Sequence, residues 1–261
     1  MKILVIGQSH AACVRTAANA HKDKLGRKGV EIQTVLFNDQ RFNPWIEHVD
    51  VGGVDGLQLV PVLRDEILSR VDQSDLIVSY LGGNAHNILS LVDHPRPYDF
   101  VFSDERTLPL VAGREVVPEK IAVAALETSG RVYEPIRFLK LVRQLVPSLS
   151  VHLESPAPVP SEEHIRKFPD VFREPIEKYG VAPASLRYKL WRINSKLVQN
   201  ECNAMGVRYL PVPDVTQDAD GYLVEAAWYM DPVHANQWYG ERVIEQLVRL
   251  QDPAFSLLET V

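Results

Sequence analysis

Lys2-Ile-Leu-Val-Ile-Gly-Gln-Ser-His10 is an apolar run that stops on Gly7 and places a serine two residues later. A short Ile, Leu and Val run followed by helix-forming sequence reads as a buried parallel strand ending in a βα turn. Open α/β sheets bind ligands at the carboxyl ends of such strands. Ser9 therefore belongs at the mouth of a crevice, beside a helix start whose N–H groups favour negative charge.

Working outward, His10 to about Lys28 reads as helix, and Gly29 releases the chain into a second strand, Val30 to Phe37. Residues 38 to 56 read as loop, and Leu57 to Val71 as helix with Pro61 in its first turn. Asp75 to Leu81 is the third strand and ends in Gly82-Gly83-Asn84, repeating the pattern of strand and small polar turn. Residues 95 to 133, broken by prolines, read as an insertion over one end of the sheet, a lid or substrate-shaping element.

Glu134 to Val146 returns to helix, and Leu149 to Glu154 gives a fourth strand running into a proline-rich extended stretch. Short helical pieces follow over 161 to 183. A long amphipathic helix from Leu186 to Met205 is closed by Gly206, and Val207 to Pro211 makes the fifth strand. The last helix runs from about Gln237 to Leu250 and buries Tyr239, Val243, Leu247 and Val248. Strands and helices alternate without a repeat or linker. The expectation is one domain over 1–261, a three-layer α/β/α fold around a doubly wound five-stranded parallel sheet.

With 261 residues and 46% hydrophobic content the chain can bury a large core without staples. Its 34 acidic and 28 basic residues are interspersed, and no basic block exists to track a phosphate backbone. Nucleic acid is not an expected partner. Cys13 and Cys202 fall in helical segments, which favours packing as free thiols over a disulfide. The first apolar run is too short for a signal peptide, and no run approaches the roughly 18 apolar residues of a membrane span. The expected setting is cytoplasmic, with no membrane partner.

Three polar turns fall where they can share one sheet edge: Gln8-Ser9-His10, Gly82-Gly83-Asn84, and Asp231-Pro232-Val233-His234 before the last helix. A serine hydroxyl is a poor nucleophile until a base accepts its proton, and His234 is the candidate base. Asp231, three residues earlier, can hold the imidazole in the useful tautomer and stabilise the imidazolium. Asn84 can aim an N–H at an oxyanion.

In this order the motifs resemble the SGNH (GDSL-like) hydrolase family, whose members are esterases, lipases and carbohydrate deacetylases on a flavodoxin-like fold. The resemblance implies Ser9 as nucleophile, His234 as base and Asp231 as its orienting acid. It further implies an oxyanion hole of the Ser9 N–H, Asn84 and a glycine ahead of the second helix, which among Gly52, Gly53 and Gly56 is Gly53 or Gly56. The sequence departs from the family at Gln8 and His10, which flank the serine where Asp is common, and at Ala85, which follows Asn84 where Asp is usual.

Other readings attach to the same residues. A serine after a glycine at a strand end is most often a helix cap, and Asp-Pro is a good turn starter. Asn84-Ala-His86 suggests a metal-ligand turn, but the Asp-x-His pair such sites need is missing at Gln8-Ser9-His10, so no metal and no organic cofactor is expected. The glycine turns do not form a phosphate-binding loop. His10, Gly83, His86 and Trp228 are candidate substrate-binding residues. The expected activity is hydrolysis of a small acyl ester, such as an acetyl ester on a carbohydrate. The alternatives are acyl transfer through the same acyl-serine, or a non-catalytic binding module. The oligomeric state is not legible.

Overall fold

A computed structural model describes residues 1–51, 54–82, 85–128 and 133–257 of the chain. The opening apolar run becomes β1 (Lys2–Gly7), paired in parallel with β2 (Glu31–Leu36) on one side and β3 (Leu76–Tyr80) on the other. Beyond β3 lie β4 (Val151–Leu153) and then β5 (Arg208–Leu210), both parallel. The order is β2-β1-β3-β4-β5. The chain moves outward from β1 to β2 and then crosses back to β3, so β1 and β3 border the switch point where such sheets bind ligands.

The alternation of β1 shows why both sheet faces must be covered. Ile3 and Val5 belong to one apolar cluster and Leu4 and Ile6 to the other, and all four are fully buried. Each contributes about 1.5 to 3 kcal/mol relative to exposure to water. Two helices, α1 (Ala11–Ala20) and α5 (Gln237–Arg249), cover the Ile3 and Val5 face. The Leu4 and Ile6 face is covered by α2 (Pro61–Val71) and α3 (Tyr133–Leu145). The long helix α4 (Ala184–Ala204) gives Tyr188 and Trp191 to the first cluster and Val198 and Cys202 to the second, and Gly206 ends it in a left-handed turn at φ 66°. The chain is therefore the expected three-layer α/β/α arrangement with a five-stranded parallel sheet.

Three local expectations give way. Residues 38 to 56 are not simply loop, because Ile46–Val51 and Val54–Leu59 form an antiparallel hairpin. Leu57 and Leu59 mimic helical spacing but belong to that hairpin. Pro61 sits at the first helical position of α2, and a proline biases the residues before it toward extended backbone. Within 95 to 133, the prolines hide a helix at Glu119–Thr128, which starts directly after Pro118. The first helix is also shorter than expected: it breaks at His21, whose Nε2 lies 2.7 Å from Glu241 Oε1 on α5.

Phe100, Phe102, Ala122 and Leu126 from 95 to 133 form a third apolar cluster with Leu186, Leu190 and Ile193 of α4. A fully buried ion pair fastens this unit: Lys189 Nζ donates to Asp99 Oδ1 at 2.8 Å and to the Phe100 carbonyl at 2.9 Å. Cys13 and Cys202 are buried and unpaired. Among the described residues no helix is long and apolar enough to cross a membrane.

Candidate active site

The turn after β1 is set by a glycine with no room for a side chain. A Cβ on Gly7 would stand 2.6 Å from Ala11 Cβ and 2.8 Å from the Tyr80 carbonyl oxygen. The Gln8 N–H donates to that Tyr80 carbonyl at 3.2 Å, and Gln8 Oε1 accepts the Gly82 N–H at 3.2 Å. Gln8 thereby ties the turn after β1 to the turn after β3. His10 is the N-cap of α1, and its side chain makes no capping hydrogen bond. Ser9 is partly exposed.

Asp231 and His234 are organised within their own loop. Asp231 Oδ1 accepts the backbone N–H groups of Val233 at 2.8 Å and His234 at 2.7 Å, while Oδ2 lies 2.8 Å from His234 Nδ1. A carboxylate can only accept, so Nδ1 carries the proton and Nε2 is left as the basic nitrogen. Burial raises the Asp231 carboxyl, but the hydrogen bond and charge of His234, with the two backbone N–H groups, outweigh it and hold it below its ordinary value. Asn236 then caps α5 by accepting the Tyr239 N–H at 3.3 Å, and its Nδ2 donates to the Ala226 and Trp228 carbonyls.

The two loops meet because α1 and α5 approach closely. A Cβ on Gly240 would stand 2.2 Å from the Cys13 carbonyl oxygen, so only glycine permits this crossing. The result is a cavity of about 480 Å³ lined by Ser9, Asp231 and His234. Thr16, Asn38 and Tyr229 complete much of its wall. Tyr229 stands out in the sequence as an aromatic flanking the Asp-His turn, but Thr16 and Asn38 carry no such mark. Asn38 was signalled only by its place just past β2, and Thr16 only by lying one helical turn beyond Ala12. Cys13 also reaches the cavity, but burial pushes its thiol up to about 12 and its Sγ donates to the His10 carbonyl, so it is not a nucleophile.

The other candidates have varied placements. His10 is buried, its ring centroid 4.9 Å from that of His234 and 6.0 Å from that of Tyr80. His86 is buried in the helix Ala85–Ser90, and burial lowers its pKa to about 3. Trp228 packs against the His164 ring and donates its Nε1–H to the Leu223 carbonyl at 2.8 Å. Gly56 lies within the hairpin opposite Val49. Gly53, Gly83 and Asn84 lie outside the described residues. Among the described residues, none from 95 to 133 lines the cavity. No three His, Cys, Asp or Glu side chains among the described residues converge as metal ligands.

No protein-family model matches the chain, and no curated protein matches it. Among solved structures, it is similar to the periplasmic domain of a lipopolysaccharide acetyltransferase from Salmonella ser. Paratyphi A, at 12% identity over 95% of this chain and 82% of that one, with a TM-score of 0.44. A putative acylhydrolase from Bacteroides fragilis matches at 10% identity over 95% and 85%, with a TM-score of 0.41. An acetyl-xylooligosaccharide esterase from Geobacillus stearothermophilus matches at 12% identity over 100% and 97%, with a TM-score of 0.40.

Proposed function

We propose that the chain is a serine esterase that removes a small acyl group, such as acetyl, from a hydroxylated molecule of carbohydrate type. The observation that carries this reading is the Asp231 Oδ2 to His234 Nδ1 contact of 2.8 Å in a cavity that also exposes Ser9. A paired, oriented imidazole in one cavity with a partly exposed serine supports a nucleophile, base and orienting acid.

The chemistry follows from those roles. Ser9 Oγ bonds to the ester carbonyl carbon while its proton passes to His234 Nε2. The charge on the carbonyl oxygen rises next to the start of α1, where backbone N–H groups favour it. In this reading the N–H of Ser9 donates to that oxygen together with Asn84 and Gly53 or Gly56. The imidazolium then protonates the leaving alkoxide, the C–O bond breaks and an acyl-serine remains. Water deprotonated by His234 attacks it, releasing the acid and restoring Ser9.

Intact mass after treatment with a fluorophosphonate tests the assignment. The parent is expected to gain a single adduct, whereas Ser9→Ala and His234→Ala, each verified as folded by its melting curve, gain none. A folded parent that stays unlabelled overturns the reading.

A further inference from the structure

The cavity at Ser9 shares a wall residue, Asn38, with a neighbour. That residue also lines a second cavity of about 320 Å³, beside the carboxyl end of β2, whose walls include Arg15, Arg41 and Arg70. Arg15 stands on α1 three residues beyond Ala12, which lines the first cavity, so the two are neighbours on the helix surface. The substrate's reacting end and this cavity therefore lie on adjoining faces of one helix.

The charges of the second cavity do not balance. Its cations are Arg15, Arg41 and Arg70, and its carboxylates are Asp39 and Glu66. Arg41 is paired with Asp39 through two guanidinium nitrogens, at 3.0 and 2.7 Å. Arg70 is paired with Glu66 and also donates to the Thr34 carbonyl at 3.1 Å. Arg15 is exposed, and among the described residues it has no carboxylate partner, although its charge helps to hold the Asp39 carboxyl down. One guanidinium is left over at a polar recess that shares Asn38 with the serine cavity.

We infer that Arg15, with Arg41 at its side, binds an anionic group on the alcohol part of the substrate. This assignment rests on the serine esterase reading and specifies its substrate class, namely a hydroxylated molecule bearing a carboxylate or phosphate. A guanidinium offers several N–H donors in a planar fork, which matches either anion. Arg41 has N–H groups beyond those that hold Asp39, and Asn38 lies between the two cavities to meet the linking part of the molecule.

The test compares three acetyl esters that differ only in the group at C6, neutral or anionic: acetylated methyl glucoside, the corresponding glucuronide and the corresponding 6-phosphate. The parent is expected to cleave at least one anionic ester with a KM about tenfold below that of the neutral one, the effect of one charge-assisted contact. Arg15→Ala should raise the KM of that ester about tenfold and leave the neutral ester unchanged. Which anionic ester gains decides between carboxylate and phosphate. Cleavage without preference for charge, or an equal loss on all three esters in Arg15→Ala, overturns the anion site and leaves the serine reading standing. Ser9 that is labelled by fluorophosphonate while none of the three esters is cleaved also overturns the anion site. Absence of both labelling and cleavage overturns the serine reading and this assignment with it.

Discussion

Two serines of this chain stand near histidines, and they could hardly differ more in prospects. Ser79 Oγ lies 2.8 Å from His152 Nδ1 at the heart of the sheet, with both residues buried and the His152 ring stacked on Tyr209. Ser9 and His234 instead border an open cavity, and His234 is held by Asp231. Burial alone lowers the pKa of His152 to about 3, too weak a base to hold a serine proton at neutral pH. A short Ser-His contact is thus no mark of a nucleophile. What distinguishes the second pair is an anchoring carboxylate, partial exposure and room for a substrate.

The strongest way to break that contrast is to remove the anchor. In Asp231→Asn the side-chain oxygen can still accept the Val233 and His234 N–H groups, but an amide N–H then faces Nδ1. The imidazole must turn its Nδ1 lone pair to that donor, which leaves Nε2 protonated and unable to accept from Ser9. Ester cleavage should fall by about 10⁴-fold, the scale such a change has in serine proteases. Retention of more than a tenth of the parent rate would show that Asp231 is only a turn residue.

Next in size is Gly240→Ala, which removes none of the proposed reacting groups. Its new Cβ meets backbone atoms of Cys13, so α5 must move away from α1 and take the His234 loop with it. Overpacking of this kind costs about 1 to 3 kcal/mol, and a shift of ~1 Å in a reacting group can cost about 100-fold in rate. A lower melting temperature together with slower Ser9 labelling is expected. Unchanged labelling would show that the two loops do not depend on the helix crossing.

The smallest effect belongs to the buried pair and is one of stability alone. The folded pKa of His152 lies below its unfolded value of 6.5, so the unfolded chain binds more protons between these values and stability falls as pH drops through that window. His152→Gln should flatten the loss measured by urea midpoints between pH 6.5 and 4 by up to about 1.4 kcal/mol per pH unit. His86, also at about 3, keeps part of the slope. Ester cleavage at neutral pH should be unaffected, and a large loss of rate would place His152 in the mechanism.

The same contrast shows what the sequence could tell. β1 and β3 were legible because strands buried on both faces are written as continuous apolar runs. The proposed Ser9, Asp231 and His234 stand out in the sequence because each lies in a short polar turn next to a helix start. The Ser79 to His152 contact depends on the register that sets those two residues opposite each other, and no local pattern encodes it. Thr16, Asn38 and Arg15 were missed for a similar reason. Which face of α1 looks into the cavity is decided by where α5 crosses it, and that crossing depends on the missing side chain of Gly240. The hairpin before α2 was missed because two leucines two residues apart fit a helix about as well as a strand.

Ser9 lies far from Asp231 and His234 in the sequence, in loops that meet only when α5 packs on α1. During synthesis, Ser9 leaves the ribosome 222 positions before Asp231 (231 minus 9). The sheet can gather its first four strands while the serine still faces no base. Under the proposed mechanism, the growing chain therefore carries an inert hydroxyl until α5 emerges, and reactivity arrives as α5 completes the first apolar cluster.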